Sequence, residues 1–161
     1  MTKAAFSLAV LWSLATVVVA QPVQTPQGAW LQDDIKWLKA PKKINPKLRY
    51  GRAAIIYFGP DHTFALIYAW VERVQGKYEG ISNGDGQVVY MGSWELAEKT
   101  VKVKYRLVSR TVQVAGEQLP GPFKEDIARI EGAVVLFLEH SFHRSAALDA
   151  DVVEYFPHDE H

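Results

Sequence analysis

The chain has 161 residues, with 18 basic and 18 acidic side chains and no cysteine. Without cysteine the protein has no disulfide, no thiol nucleophile and no cysteine-ligated metal, and its balanced charge gives no reason to expect nucleic-acid binding. This length fits one ordinary domain with its own hydrophobic core.

A positively charged start followed by an uncharged apolar run opens the sequence. Lys3 precedes the run from Ala4 to Ala20, and Val18 and Ala20 are small enough for a signal-peptidase site. This pattern predicts a secretory signal peptide over residues 1–20, cleaved after Ala20, and a secreted or periplasmic protein. The alternative is an uncleaved anchor, because the run is about one spanning helix long. After cleavage we expect no integral membrane span.

The segments that follow predict one folded unit between two polar ends. Residues 21–28, QPVQTPQG, predict a flexible leader because they are rich in proline and glutamine. Residues 29–156 form a single predicted β domain, and residues 157–161 form a polar C-terminal tail. Between residues 29 and 52 the apolar side chains fit either a strand or one short helix.

The first clear β signal is a pair of apolar runs. Residues 53–58, AAIIYF, and 63–74, TFALIYAWVERV, are rich in β-branched and aromatic side chains. The Gly-Pro-Asp-His sequence at 59–62 has turn chemistry. Two such runs joined by a few turn residues predict a β-hairpin.

Asn-Gly-Asp-Gly at residues 83–86 has two readings, a calcium loop or a turn. An EF-hand loop needs glycine at its sixth position and glutamate at its twelfth. Counted from Asn83, those positions hold Val88 and Trp94. The pattern therefore indicates a tight turn, for which Asn-Gly and Asp-Gly supply the positive φ angles.

Residues 87–107 alternate between apolar and polar side chains, as strands buried on one side do. The apolar residues before the polar connection at 97–100 are Val88, Tyr90, Trp94 and Leu96. Those after it are Val101, Val103, Tyr105 and Leu107. This alternation predicts a second hairpin.

The alternation shifts phase after Leu107, which predicts a β-bulge near Val108 or Ser109. The later segments are assigned as a loop at 117–126, a strand at 127–139 bent at Gly132, a strand or helix at 141–149, and a last strand at 151–156. The predicted fold is all-β, an antiparallel meander of about eight strands that forms either a lipocalin-like barrel or a strongly curled sheet.

Catalytic and metal sites are poorly supported. Glu139, His140 and His143 would face a shared metal only on a helix, whereas a strand turns the two histidines to opposite faces. A strand runs into this segment, so we predict no metal site. The sequence has no G-x-S-x-G motif, and Asp61-His62 fits a solvated turn. We expect neither an enzyme nor a bound cofactor.

Aromatic residues on the predicted inward faces form the candidate ligand site. They are Tyr68, Trp70, Tyr90, Trp94 and Tyr105. The interior of a barrel of about eight strands either fills with side chains or holds one small ligand. A filled core and an aromatic-lined pocket therefore both stay open.

A local excess of basic residues over 36–52 forms a second candidate. Its members include Lys39, Lys42, Lys43, Lys47 and Arg49. Such a segment suits an anionic surface, such as phospholipid headgroups or an acidic polysaccharide. The alternative is an ordinary solvated face.

Gly28-Ala29-Trp30 near the predicted mature N-terminus and Gly92-Ser93-Trp94 in mid-chain carry a resemblance. Followed by a meander of short strands, this arrangement resembles the lipocalin-like calycin barrels, including those of small bacterial envelope proteins. The resemblance implies that Gly28 and Trp30 close the barrel base, with the tryptophan near Arg144. It also implies binding of a small apolar molecule. The Thr-Asp-Tyr turn of the family is absent from this sequence.

These observations predict a non-enzymatic secreted or periplasmic protein that binds a small hydrophobic ligand in its barrel. The alternative is a protein- or anionic-surface-interaction module that uses the basic 36–52 segment or a strand edge.

Overall fold

The computed structural model describes residues 25–41, 45–82, 86–112 and 114–156, and these residues are almost entirely β. The strands are β1 Gly28–Gln32, β2 Leu38–Lys39, β3 Leu48–Phe58, β4 Thr63–Val74, β5 Lys77–Ser82, β6 Val88–Ala97, β7 Thr100–Arg110, β8 Lys124–Glu131, β9 Val134–Phe137 and β10 His140–Arg144. A 3₁₀ turn, Ala146–Leu148, leads into the short helix α1, Asp149–Val153.

Eight of these strands close into an antiparallel barrel. Their order around the wall is β1, β3, β4, β6, β7, β8, β9 and β10, and the ring closes because β10 pairs with β1. The two remaining strands, β2 and β5, extend the edges of the β3–β4 hairpin beyond the ring. The predicted all-β antiparallel meander is confirmed.

Both predicted hairpins are present. β3 and β4 pair along their whole length around the turn at 59–62, where the Gly59 amide donates to the Thr63 carbonyl at 2.8 Å. β6 and β7 pair from Val88 to Ala97. Their register shifts so that Val108 has no partner on β6, which confirms the predicted bulge.

Three predicted elements differ from the structure. The predicted strand at 151–156 is wrong, because residues 149–153 form α1. The predicted loop at 117–126 ends early, because its last three residues pair with β7 as the start of β8. The strand at 127–139 divides into β8 and β9 at a turn that contains Gly132, whose φ is +62°. The turn predicted at 83–86 lies mostly outside the described residues.

Apolar side chains form two cores, one on each side of the wall. The inner core fills the barrel with the inward rows of the strands and includes Trp30, Phe58, Phe64, Trp94, Phe137 and Phe142. The outer core lies between β1, β3 and β4 and the C-terminal segment, where Leu148 and Val152 are fully buried. These two residues are four apart, so one face of a helical turn buries both of them.

The barrel wall is uneven in height. β9 pairs with β8 only at Arg129–Glu131, and β1 pairs with β3 only at Ile55–Phe58. The hairpins β3–β4 and β6–β7 continue well above these short strands. We call the end with the turn at 59–62 the base, and the opposite end, where β6 begins and β7 ends, the open end.

Candidate binding site at the open end of the barrel

The base of the barrel is filled by aromatic rings. The ring of Phe58 lies 5.5 Å from that of Phe64 and 5.8 Å from that of Trp94, in tilted and edge-to-face geometries. The Trp94 indole N–H donates to the Gly59 carbonyl at 3.0 Å. Trp94 therefore contributes packing at the base of the barrel.

Three tyrosines from adjacent strands meet in the upper half of the interior. The ring centroids of Tyr68 and Tyr90 are 6.3 Å apart, and those of Tyr90 and Tyr105 are 5.7 Å apart, both edge-to-face. We call these three residues the tyrosine cluster. Their strands, β4, β6 and β7, are neighbours in the wall, and all three side chains point into the barrel.

The hydroxyl groups of the tyrosine cluster differ in their hydrogen bonds and burial. The Tyr105 hydroxyl donates to Oδ2 of Asp126 at 2.6 Å. Burial raises the pKa of Tyr105 well above its usual range, and the hydrogen bond to Asp126 adds to the shift. Burial, followed by the neighbouring Tyr90, also raises the pKa of Tyr68. These two phenols are therefore neutral hydrogen-bond donors at physiological pH.

A recess of about 500 Å³ opens beside the tyrosine cluster. Tyr90 and Leu107 form its inner side, and Gly121 and Pro122 of the β7–β8 loop cover it. The Gly121 amide donates to the Leu107 carbonyl at 2.9 Å, which fixes this loop over the barrel. Pockets for small molecules are commonly about 300–1,000 Å³ and mainly apolar, with a few polar groups.

Charged groups border the recess. The Lys124 ammonium lies 5.4 Å from the Tyr90 ring centroid, within the range of a cation–π contact. Nε of Arg110 lies 3.2 Å from a carboxylate oxygen of Glu117, and both side chains are largely buried. This Nε makes no aligned hydrogen bond within the described residues, so the pair is ionic in character.

Trp70 occupies a different position from the other predicted aromatic residues. It follows Tyr68 on the inward row of β4, but its ring packs against Tyr50 at 5.6 Å, outside the inner core. The structure thus places Tyr68, Tyr90 and Tyr105 together, Trp94 at the base and Trp70 beyond the open end.

Gly28, Trp30 and Arg144 lie together where β1 meets β10. Trp30 is opposite Arg144 in the β1–β10 register, and a methyl group on Gly28 would overlap the guanidinium. Gly28 has a φ of +101°, which also favours glycine. Arg144 donates to the Ala29 carbonyl at 3.0 Å and to both carboxylate oxygens of Asp149, at 2.9 and 2.6 Å.

The two β10 histidines have separate acidic neighbours. Nδ1 of His143 lies 2.5 Å from Asp33, and Nδ1 of His140 lies 3.5 Å from Asp34. Across the described ranges, no group of three histidine or carboxylate side chains is placed to hold a metal ion. Burial acts to raise the pKa of Asp33, but hydrogen bonds with Ser141 and His143 outweigh it and lower the pKa.

The structure describes three of the predicted basic residues, namely Lys39, Lys47 and Arg49, whereas Lys42 and Lys43 lie outside the described residues. Lys47 and Arg49 line a shallow recess of about 490 Å³ on the outer face of the β2–β3–β4 sheet, and Lys39 lies opposite Arg49 in the β2–β3 pair.

A larger groove of about 820 Å³ lies along β6, β7 and β8. The ion pair between Lys104 and Glu125, at 3.4 Å, lies in this groove, and both side chains are mostly exposed. Trp94 and Val103 also line this groove, and because exposed ion pairs are weak, the Lys104–Glu125 pair contributes little to stability.

Several residues near the candidate site were missed by sequence reasoning. Lys124 and Asp126 were assigned to a loop, although they lie on the inward row of β8 opposite Tyr105 and Val103. Their alternation with Ala128 and Ile130 was the signal that could have identified them.

No protein-family model, curated protein or solved structure matches this chain. The resemblance to lipocalin-like barrels therefore stays a prediction. The described residues contain no helix that could span a membrane.

Proposed function

We propose that this protein is an exported, non-enzymatic binding protein that holds a small hydrophobic molecule at the open end of its barrel. The observation that carries the proposal is the recess of about 500 Å³ under the β7–β8 loop, which Tyr90 of the tyrosine cluster lines. Export rests on the signal peptide predicted at residues 1–20, which lie outside the described residues.

The lining combines apolar and polar side chains, which favours a flat ligand with an apolar face and a hydrogen-bond acceptor. The Tyr90 ring and the Leu107 side chain supply apolar surface at the inner side of the recess. The Tyr105 hydroxyl is committed to Asp126, whereas the Tyr90 hydroxyl, which belongs to the recess lining, has no hydrogen bond to another described residue. A phenol hydroxyl can donate to a ligand oxygen or nitrogen.

Ligand depth is limited by the filled base. Phe64 and Phe137 pack edge-to-face at 5.9 Å beneath the tyrosine cluster, and both are almost fully buried. A ligand would therefore sit in the upper half of the barrel and leave these rings in place. Aromatic side chains therefore fill the base of the barrel, whereas the proposed ligand pocket lies at the open end.

The lipocalin resemblance supports the same proposal. The resemblance implies that Gly28, Trp30 and Arg144 lie together, and it is supported by the β1–β10 register, in which Trp30 is opposite Arg144, and by the Arg144 guanidinium lying against Gly28. A barrel sealed at that end leaves the opposite end for ligand entry, which is where the recess lies.

A fluorescence titration with the neutral apolar probe N-phenyl-1-naphthylamine tests the proposal. Gly121 has no positive φ, and a Cβ added there would meet only Leu107, at 3.5 Å. The Gly121→Phe variant should therefore fold and fill the recess. We expect the wild type to bind one probe and the variant to bind it at least about tenfold more weakly, a loss of about 1.4 kcal/mol.

Tyr155→Ala provides the matched control. Tyr155 is also a partly buried tyrosine, but it packs on the outer core. This variant should keep wild-type probe affinity. Equal affinity in the wild type and Gly121→Phe would place the bound probe elsewhere and contradict the proposal.

Extraction with organic solvent of the protein purified from its source cells tests whether the recess holds a natural ligand. We expect mass spectrometry to find a stoichiometric apolar compound in the wild type and to find none in Gly121→Phe. The same compound at the same amount in both extracts would count against the recess as its site.

A further inference from the structure

The basic recess on the outer face of the sheet is built on a row of like charges. Lys39 lies directly opposite Arg49 in the β2–β3 pair, and Arg49 lies directly opposite Arg73 in the β3–β4 pair. Residues opposite each other in an antiparallel pair share one face of the sheet, and like charges at such positions are destabilising. The row therefore favours an anion that neutralises it.

The described part of the protein supplies no such anion. None of its ion pairs involves Lys39, Lys47, Arg49 or Arg73. Glu72 precedes Arg73 on β4, so its side chain points to the opposite face. Within the described residues, these cations therefore have no carboxylate partner at ion-pair distance.

Both arginines are held in place by their surroundings. The Arg73 guanidinium carbon lies 4.0 Å from the Trp37 ring centroid. Nη1 of Arg49 donates to the carbonyls of Pro46 and Leu48, at 2.9 Å each. Each guanidinium carries five N–H donors, so these contacts fix the groups and leave donors for a ligand.

The space between these groups suits a compact oxyanion. Lys47, Arg49 and Arg73 line the recess of about 490 Å³, together with the turn at Gln75 and Gly76. Guanidinium groups bind phosphate through paired N–H donors, whereas an ammonium group acts as a point charge.

We propose that this recess is a binding site for a phosphate group, with Arg49 and Arg73 as the principal donors and Lys39 and Lys47 as flanking charges. The phosphate belongs either to a free phosphorylated molecule or to a lipid headgroup. Arg49 and Arg73 share the outward row of their strands with residues of the outer core, whereas the tyrosine cluster faces inward. The site can therefore exist whether or not the tyrosine recess holds a ligand.

Calorimetric titration of the full chain with inorganic pyrophosphate at low ionic strength tests the site. We expect one bound anion per chain, with an affinity that falls as salt is added. Arg49→Gln and Arg73→Gln should each weaken binding at least about tenfold. The matched control is Arg129→Gln, which removes an exposed arginine from β8 and should stay within about twofold of the wild type.

Thermal unfolding without phosphate keeps this test independent of folding defects. Removing one charge from the row relieves repulsion but also removes the Arg49 hydrogen bonds or the Arg73 contact with Trp37, so Arg49→Gln and Arg73→Gln should each stay within about 3 °C of the wild-type unfolding midpoint. Unchanged pyrophosphate affinity in these folded variants would overturn the proposal. Equal weakening by Arg129→Gln would also overturn it, because it would indicate general charge attraction.

Sedimentation with vesicles separates the two sources of phosphate. Vesicles of phosphatidylcholine with phosphatidylglycerol should bind the wild type but not Arg49→Gln if the phosphate belongs to a lipid headgroup, and free pyrophosphate should release the protein. Pyrophosphate binding without vesicle binding assigns the site to a free phosphorylated molecule. If neither ligand binds, the proposal is wrong.

Discussion

Replacement of Gly92 by alanine should open the β6–β7 hairpin and destabilise the whole barrel. A methyl group at this position would overlap the carbonyl oxygen of Lys104 and lie 2.6 Å from the Cα atom of Tyr105. Both are main-chain atoms of β7, so no side-chain rotation can relieve the overlap. Carbon atoms in contact prefer about 3.5–4.0 Å, and the two strands must therefore separate by about 1 Å.

The expected cost combines overpacking with lost hydrogen bonds. Overpacking in a well-packed region costs about 1–3 kcal/mol. A ladder bond of about 2.9 Å lengthened by about 1 Å is no longer a hydrogen bond, and each such loss costs about 0.5–1.5 kcal/mol. Replacing glycine returns about 0.5–1 kcal/mol of backbone entropy. Gly92→Ala should therefore lower the free energy of unfolding by about 3 kcal/mol, a large part of the usual total of about 5–15 kcal/mol.

Urea denaturation followed by far-UV circular dichroism measures this loss. With a denaturant dependence of about 1.5 kcal/mol per molar, the midpoint should fall by about 2 M. Ser93→Ala changes the exposed neighbour on the same strand and should shift the free energy by less than about 0.5 kcal/mol. A loss below about 1 kcal/mol for Gly92→Ala would refute the claim that β7 approaches β6 too closely for a side chain at this position.

Two further predictions concern the outer core and the tyrosine cluster. Leu148→Ala should lower the free energy of unfolding by about 2–5 kcal/mol because Leu148 is fully buried. The control Val153→Ala, at a position that is 43% exposed, should change it by less than about 0.5 kcal/mol. Equal losses for the two variants in urea denaturation would contradict the observed packing of the C-terminal segment. Burial raises the pKa of Tyr105, so folding opposes ionisation of this phenol. The contribution of neutral Tyr105 to stability should therefore be complete below about pH 10 and decline at higher pH. Phenolate absorbance of the folded protein should show one fewer late-ionising group in Tyr105→Phe, and identical titration curves would contradict the assignment.

Local patterns in the sequence predicted the antiparallel barrel well. The alternation over residues 87–107 identified β6 and β7, and its change of phase identified the bulge at Val108. Side chains on a strand alternate by geometry, so one inserted residue is visible without a structure.

The C-terminal segment shows where local pattern fails. Residues 151–156 have β-branched and aromatic composition, but the burial of Leu148 and Val152 requires a spacing of four and hence a helical turn. That requirement arises from the outer face of β1, β3 and β4, which a local sequence window does not contain. Tertiary packing therefore decided this element.

Site composition was predictable only in part, because it depends on register. The inward tyrosines follow from alternation, but their contact depends on how β4, β6 and β7 align. The basic segment 36–52 was visible as a local excess, whereas Arg73 belongs to another strand and joins Arg49 only through the β3–β4 register. Composition alone does not predict which residues far apart in the chain come into contact.

Closure of the barrel between β1 and β10 has a consequence for biogenesis. The Ala29 amide donates to the Asp149 carboxylate at 2.7 Å across a separation of 120 residues. Because β1 pairs with β10, a nascent chain cannot close its wall until residues 140–144 have been synthesised. Contacts of such long range slow folding, so a chain that lacks residues 140–144 would stay open at this seam.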